Sequence, residues 1–216
     1  MNKLVNNLPK EIPIFPLSNF IIFPKTSVPL NIFEPRYIQM IDDCMKGNRL
    51  IGIVQPKKTG DLKKPNLYDV GCVGKITSFN DTEDGRYLIV VNGICRYNII
   101  EELNNNKLYR ECKISFDNYI DDLDENLKEE IKFSEVKMMF NDLKVLFKKQ
   151  GYLINWKDIE KQNLDQTINT LSMASPFSLE EKQILLETNS LSERFKKLEE
   201  ILKIYTSDNF ENNTLQ

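Results

Sequence analysis

IFPLSNFIIFPKTSVPLNIFEPRY, residues 14–37, decides how the rest of the chain is read. Three short β-type runs, at 12–15, 20–23 and 30–33, are separated by prolines. Proline has no N–H to give a central strand, so it bounds such runs rather than sitting inside them. The third run leads into a helix that starts at Glu34-Pro35, where Pro35 fits the first helical position because its missing N–H has no helical partner to lose. Tyr37, Ile41 and Cys44 then fall on one helical face with Met45 beside them, Asp42, Asp43 and Lys46 fall on the other, and Gly47 suits the stop.

Working outward, further strands are predicted at 50–54, 70–79, 86–91, 94–100 and 109–116. Asp84-Gly85 and Asn92-Gly93 are hairpin signals, so an antiparallel meander is predicted from 70 to 100. The run 86–91 is apolar on both faces, Leu88 and Val90 on one and Tyr87 and Ile89 on the other. Such a strand is expected to be covered on both sides, as in a curled sheet or small barrel carrying one helix.

The chain changes character near Tyr119. Asp121, Asp122, Asp124 and Glu125 read as an acidic linker into a helix, whose N-terminus favours anions. Phe133, Val136, Phe140, Leu143 and Phe147 recur at helical spacing, as do Leu191, Phe195, Leu198, Leu202 and Tyr205. Ser178 with Glu181 and Ser190 with Glu193 are capping boxes. The expected class is α+β: a β-barrel domain over 1–118, a helical bundle over 119–207 and a polar tail over 208–216.

Composition closes several routes. The 216 residues contain no histidine, which removes Ser-His-Asp and Cys-His catalysis. Ser134–Lys137, Lys58-Thr59-Gly60 and Ser207-Asp208-Asn209 match three β-lactamase-type patterns as strings, but in the wrong order, and the first is explained by helix packing. Gly71-Cys72-Val73-Gly74-Lys75-Ile76 lacks the spacing and hydroxyl residue of a phosphate-binding loop. Cys44, Cys72, Cys95 and Cys112 form no C-x-x-C pair, so buried thiols are expected and no metal or other cofactor is. A net charge of −3 argues against nucleic acid, and Lys57, Lys58, Lys63 and Lys64 read as a solvated loop. No export signal or membrane-spanning run is read, so a cytoplasmic protein is expected.

The opening stretch resembles the start of the Lon-type substrate-binding domain. The most specific piece is Pro29-Leu30-Asn31-Ile32-Phe33-Glu34-Pro35-Arg36-Tyr37, preceded by Pro16-Leu17 and Phe23-Pro24. Gly71 to Ile76, Gly85-Arg86-Tyr87, Gly93-Ile94-Cys95-Arg96-Tyr97, Leu179 to Glu187 and Arg194 follow in the family's order, over about residues 10–205. The resemblance implies a PUA-like antiparallel β-barrel followed by helices, standing alone, without the ATPase and Ser-Lys protease domains that follow it in full Lon. It implies a non-enzymatic module for unfolded or extended polypeptide, with a protease or chaperone as a candidate partner and self-association as a route to avidity. The alternative it leaves open is an RNA-binding PUA-like protein. Phe33, Arg36 and Tyr37 are the candidate polypeptide-binding residues, since aromatic and arginine side chains are the common anchors of bound chains. Structural roles compete for each of them: Glu34 as the helix cap, a carboxylate pair for Arg36, the core for Phe33 and Tyr37, and a buried bond for Arg96.

Overall fold

A computed structural model describes residues 8–18, 20–61, 64–124 and 131–211. The chain divides into two compact units, Met1–Glu125 and Asn126–Gln216. Among the described residues no helix is long and apolar enough to cross a membrane.

The first unit is a six-stranded sheet in the order β2-β7-β6-β3-β1-β8, carrying one helix. Its strands are β1 (Glu11–Pro16), β2 (Ser27–Ile32), β3 (Leu50–Val54), β6 (Val70–Asp81), β7 (Tyr87–Leu103) and β8 (Arg110–Ser115), with α1 at Pro35–Met45. A separate hairpin, β4 (Pro56–Asp61) and β5 (Lys64–Leu67), occupies part of the segment read as a lysine-rich loop; Lys63 lies outside the described residues. The sheet is mixed rather than purely antiparallel, because β1 runs parallel to β3, with Ile14 beside Gly52. Parallel neighbours need a long crossover, and here β2 and α1 supply it.

Two predicted strands, 86–91 and 94–100, are one. β7 runs unbroken through Asn92-Gly93, so that pair is no hairpin turn. Gly93 is there for close approach: a Cβ on it would lie 2.1 Å from the carbonyl oxygen of Phe23. The turn signal at Asp84-Gly85 is a turn, with Gly85 at φ +77 and its N–H on the Thr82 carbonyl. The run 20–23 is irregular chain, not strand, with Ile21, Ile22 and Phe23 buried and Phe20 partly so. Thr26 satisfies it: its hydroxyl accepts from the Phe23 N–H at 3.2 Å and donates to the Phe23 carbonyl at 2.7 Å.

β7 pairs with β6 along one edge and, along its length, with β2 at 87–92 and β8 at 98–103. The sheet therefore curls back on itself as an incompletely closed barrel. α1 packs Tyr37, Met40, Ile41 and Cys44 onto Phe15, Val28, Ile32, Ile51, Ile76, Ile89 and Val91. Its acidic side is tied down as well: Tyr87 donates its hydroxyl to Asp42 at 2.9 Å and Tyr109 to Asp43 at 3.0 Å. All four cysteines are buried. Burial pushes the thiol of Cys44 up to about 12 and that of Cys112 up to about 11, which keeps both protonated at neutral pH. Among the described residues no cluster of side chains could hold a metal ion.

The acidic run after Tyr119 is not a free linker. Residues Asp117–Leu123 form a 3-10 turn belonging to the first unit. From it Asp122 reaches Arg96 on β7, and the two side chains are 8% and 2% exposed. Asp122 accepts from Arg96 Nε at 2.9 Å, Nη2 at 2.8 Å and the main-chain N–H at 2.9 Å. The guanidinium stacks on Tyr119 at 4.2 Å. Arg96 is thus the buried structural bond that the sequence suggests.

The second unit is helical: α2 (Phe133–Lys149), α3 (Trp156–Ile159), α4 (Leu164–Ala174), α5 (Leu179–Glu187) and α6 (Leu191–Glu211). The two periodic stripes are its core, with Val136, Phe140, Leu143, Phe147, Phe195, Leu198 and Leu202 all buried. Ser178 and Glu181 form a full capping box. At the next helix Ser190 caps Glu193, whose carboxylate accepts from Asn189 instead. α6 continues past Ser207, where the sequence places the tail, as far as Glu211; residues 212–216 lie outside the described residues. Arg194 is buried and donates to the Leu185 carbonyl at 2.9 Å and the Asn169 side-chain oxygen at 2.6 Å.

Candidate functional site

Phe33, Arg36 and Tyr37 divide between surface and interior. Phe33 follows β2 and is 64% exposed, a large apolar side chain presented to solvent. Arg36 is on the surface and pairs with Glu34 at 2.8 Å. Glu34 makes no side-chain cap to α1, so its carboxylate serves this pair rather than the helix end. Such an exposed pair contributes only about 0–1 kcal/mol. Tyr37 is 6% exposed and meets the ring of Phe15 at 4.3 Å, edge to face. Its position on the inward stripe of α1 makes it core. Burial raises its phenol above the ordinary value, with Arg36 opposing and Glu34 adding. The Arg36 guanidinium lies 4.5 Å from the Tyr37 ring centroid, so Tyr37 steadies Arg36.

The register of β2 on β7 extends this surface. Ser27 faces Asn92, Pro29 faces Val90, and Asn31 faces Leu88. Val28 and Ile32 are buried under α1, so the alternation of a strand turns Ser27, Pro29 and Asn31 to the other face. On that outer face Leu88 is 46% exposed. The prediction that β7 is covered on both sides is therefore wrong for Leu88: the inner row, Ile89 and Val91, is buried, whereas on the outer row Leu88 is exposed and Val90 half-buried. One end of the outer face is polar, where Asn92 Oδ1 accepts from Ser27 Oγ at 2.6 Å and Thr77 Oγ1 at 3.4 Å. Beyond it come Pro29 with Val90, then Asn31 with Leu88, then Phe33 two residues on. The result is a partly apolar strip, interrupted by Asn31, with a polar end.

The adjoining edge is blunted. β2 ends the sheet order. The Gly93 N–H donates to the Thr26 carbonyl, and antiparallel alternation from that bond turns the main chain of Ser27, Pro29 and Asn31 toward the open edge. Pro29 has no N–H to offer there, so an added strand would lose a central donor. The face, not the edge, is the open surface. Of its members the sequence singled out Phe33. Leu88 carried a signal too, the two-sided apolar pattern, but that pattern does not say which side remains open.

Two of the lysines in the basic hairpin are paired with carboxylates. Lys57 lies 3.5 Å from Asp69, and Lys64 lies 2.9 Å from Glu102.

A family model described as the ATP-dependent protease La (LON) substrate-binding domain matches residues 11–204. Among curated proteins, the chain is 26% identical over 203 residues to the Lon protease of Dictyoglomus thermophilum, covering 89% of this chain and 24% of that protein. It is 28% identical over 208 residues to the Lon protease of Syntrophus aciditrophicus, covering 88% and 25%. The chain thus spans about a quarter of the length of these relatives. Its fold is similar to that of a Lon N-terminal domain protein from Xanthomonas campestris, with TM-score 0.64 and 17% identity over 87% of this chain and 96% of that one. It is also similar to the N-terminal domain of Mycobacterium avium complex Lon protease, with TM-score 0.60 and 18% identity over 92% and 99%.

Proposed function

This chain belongs to the Lon substrate-binding domain family, and from that premise we propose that it is a non-catalytic module binding unfolded or extended polypeptide. The observation that carries the reading is the match over 11–204 to a domain described by its substrate binding. The exposed strip on the outer face of β2 and β7 supports it. An unfolded chain presents apolar side chains that a folded protein hides, and Phe33, Leu88, Val90 and Pro29 give them a surface on which to lose water. Arg36, steadied on Tyr37, stands three residues after Phe33 as a polar anchor. Each contact is weak, so tight holding calls for several copies acting together or for a partner protease or chaperone.

Titration with a permanently unfolded protein, reduced and carboxymethylated, is the test. The expected result is micromolar-range affinity that changes little with salt, because apolar contact is not screened. Absence of binding to each of several unfolded chains would remove the reading. RNA binding that falls steeply with salt would replace it with a nucleic-acid function.

A further inference from the structure

β6 outruns one of its neighbours. β3 pairs with it only from Cys72 to Lys75, and the Ile76 N–H then donates to the carbonyl of Arg49, the residue before β3. Beyond that point β6 runs on to Asp81 with β7 on one side, and among the described residues no strand lies on the other. The Thr82 N–H donates to the Arg86 carbonyl. Antiparallel alternation from that bond ties Asn80 to Leu88 and turns the main chain of Phe79 and Asp81 to the open side. Residues 79–81 are exposed, and no proline interrupts them as Pro29 interrupts β2. An edge of alternating N–H and C=O groups is matched by one kind of partner, another extended main chain.

The charges at the two ends of this edge say which chain. Arg49 and Lys75 stand at one end, Asp81 and Glu83 at the other; all are exposed, and among the described residues none is in an ion pair. A second copy laid antiparallel brings the acidic end of each against the basic end of the other. We infer that the open edge of β6, residues 79–81, pairs with the same edge of a second copy of this chain and joins the two sheets into one. A twofold axis at Asn80 fits the ladder: each Phe79 exchanges both main-chain hydrogen bonds with Asp81 of the second copy. Asn80 then faces Asn80 of the second copy in a non-hydrogen-bonded pair, and an amide carries both the donor and the acceptor that its own kind needs. The incoming strand lies in line with β3, so its Glu83 meets Arg49. Directly opposite residues point to one face, and Asn80 shares the face of Leu88, so the outer strips of both copies open the same way. The edge is used up in the pair, which closes the assembly at two. This goes beyond the polypeptide-binding reading and does not depend on it.

Sedimentation equilibrium of the full chain, with no unfolded protein added, should show monomers passing into dimers as the concentration rises toward millimolar. Asn80→Cys should cross-link to a dimer under oxidised glutathione, because a non-hydrogen-bonded pair brings its two Cβ atoms close enough for a disulfide. Ser78→Cys, which this register sets far from its own counterpart, should not, and the native cysteines are all buried. Arg49→Glu and Glu83→Arg should each weaken the dimer about tenfold, since the contact occurs twice and attraction becomes repulsion. The double variant should recover it. A wild type that stays monomeric, equal cross-linking of the two cysteine variants, or a double variant no stronger than its singles would overturn the inference and leave the polypeptide-binding reading standing. Should a cysteine variant fail to fold, the charge series decides alone.

Discussion

The two units hold themselves together differently. In the sheet unit the partners are far apart in sequence: β1 lies between β3 and β8, and Arg96 on β7 is answered by Asp122 in the turn after β8. In the helical unit much of the order is local, in stripes at helical spacing and in caps such as Ser178 with Glu181. Non-local order concentrates its energy in a few buried groups, whereas local order spreads it over many small terms. Loss of a buried long-range bond in the first unit should therefore cost more than loss of a local helix cap in the second.

The largest expected effect is at the buried ion pair. Asp122→Ala leaves the Arg96 guanidinium buried without its carboxylate and should cost about 3–5 kcal/mol. Urea unfolding measures it, and a loss below about 1 kcal/mol, the value of an exposed pair, would show that the pair is not structural. Ser178→Ala should cost only about 1 kcal/mol, since it removes one cap from one helix. The single tryptophan, Trp156, lies in the helical unit and provides the fluorescence readout. A loss as large as that of Asp122→Ala would break the contrast.

Acid should separate the units by sign, at smaller amplitude. Burial would raise Glu102, but the hydrogen bonds and charges of Arg110 and Lys64 outweigh it and hold its carboxyl below the ordinary value. A depressed carboxylate adds stability above its unfolded pKa, about 4.3, and loses it as pH falls through the folded value. Glu199 on α6 is raised: burial comes first, Lys203 opposes, and Glu135 and Asp142 add to it. Its contribution is greatest below the unfolded pKa and is lost as pH rises through the folded one. Glu102→Gln should therefore flatten the acid loss of stability, while Glu199→Gln should raise stability slightly at neutral pH. Urea midpoints at about pH 7 and about pH 4 compare them, and equal slopes for the two variants would contradict the assignment.

The same contrast governs what could be read from the sequence. The helices were legible because their stripe lies within one segment: Phe133 to Phe147 says helix without knowledge of the rest. The strands were legible wherever a turn or proline marked them, as at Asp84-Gly85. Asn92-Gly93 misled because the need for Gly93 comes from the Phe23 carbonyl, 70 residues earlier in the chain. The acidic run misled for a related reason, since Asp122 has meaning only beside Arg96. At the candidate site, Phe33 was legible as an aromatic residue in a distinctive motif. Tyr37 was legible too, but as the core position its helical spacing implied. The exposure of Leu88 depends on what covers the outer face of the sheet, and no local pattern contains that.

The central claim, that the outer face of β2 and β7 receives unfolded polypeptide, is tested most directly by ¹⁵N chemical-shift mapping of the full chain against an unlabelled unfolded protein. The account predicts saturable shifts at 27–33 and 87–92. It also predicts about tenfold weaker binding in a Phe33→Ser, Leu88→Ser double variant whose stability stays within about 1 kcal/mol of wild type. Saturable binding that leaves those signals in place, or a double variant that binds as well as wild type, would contradict it.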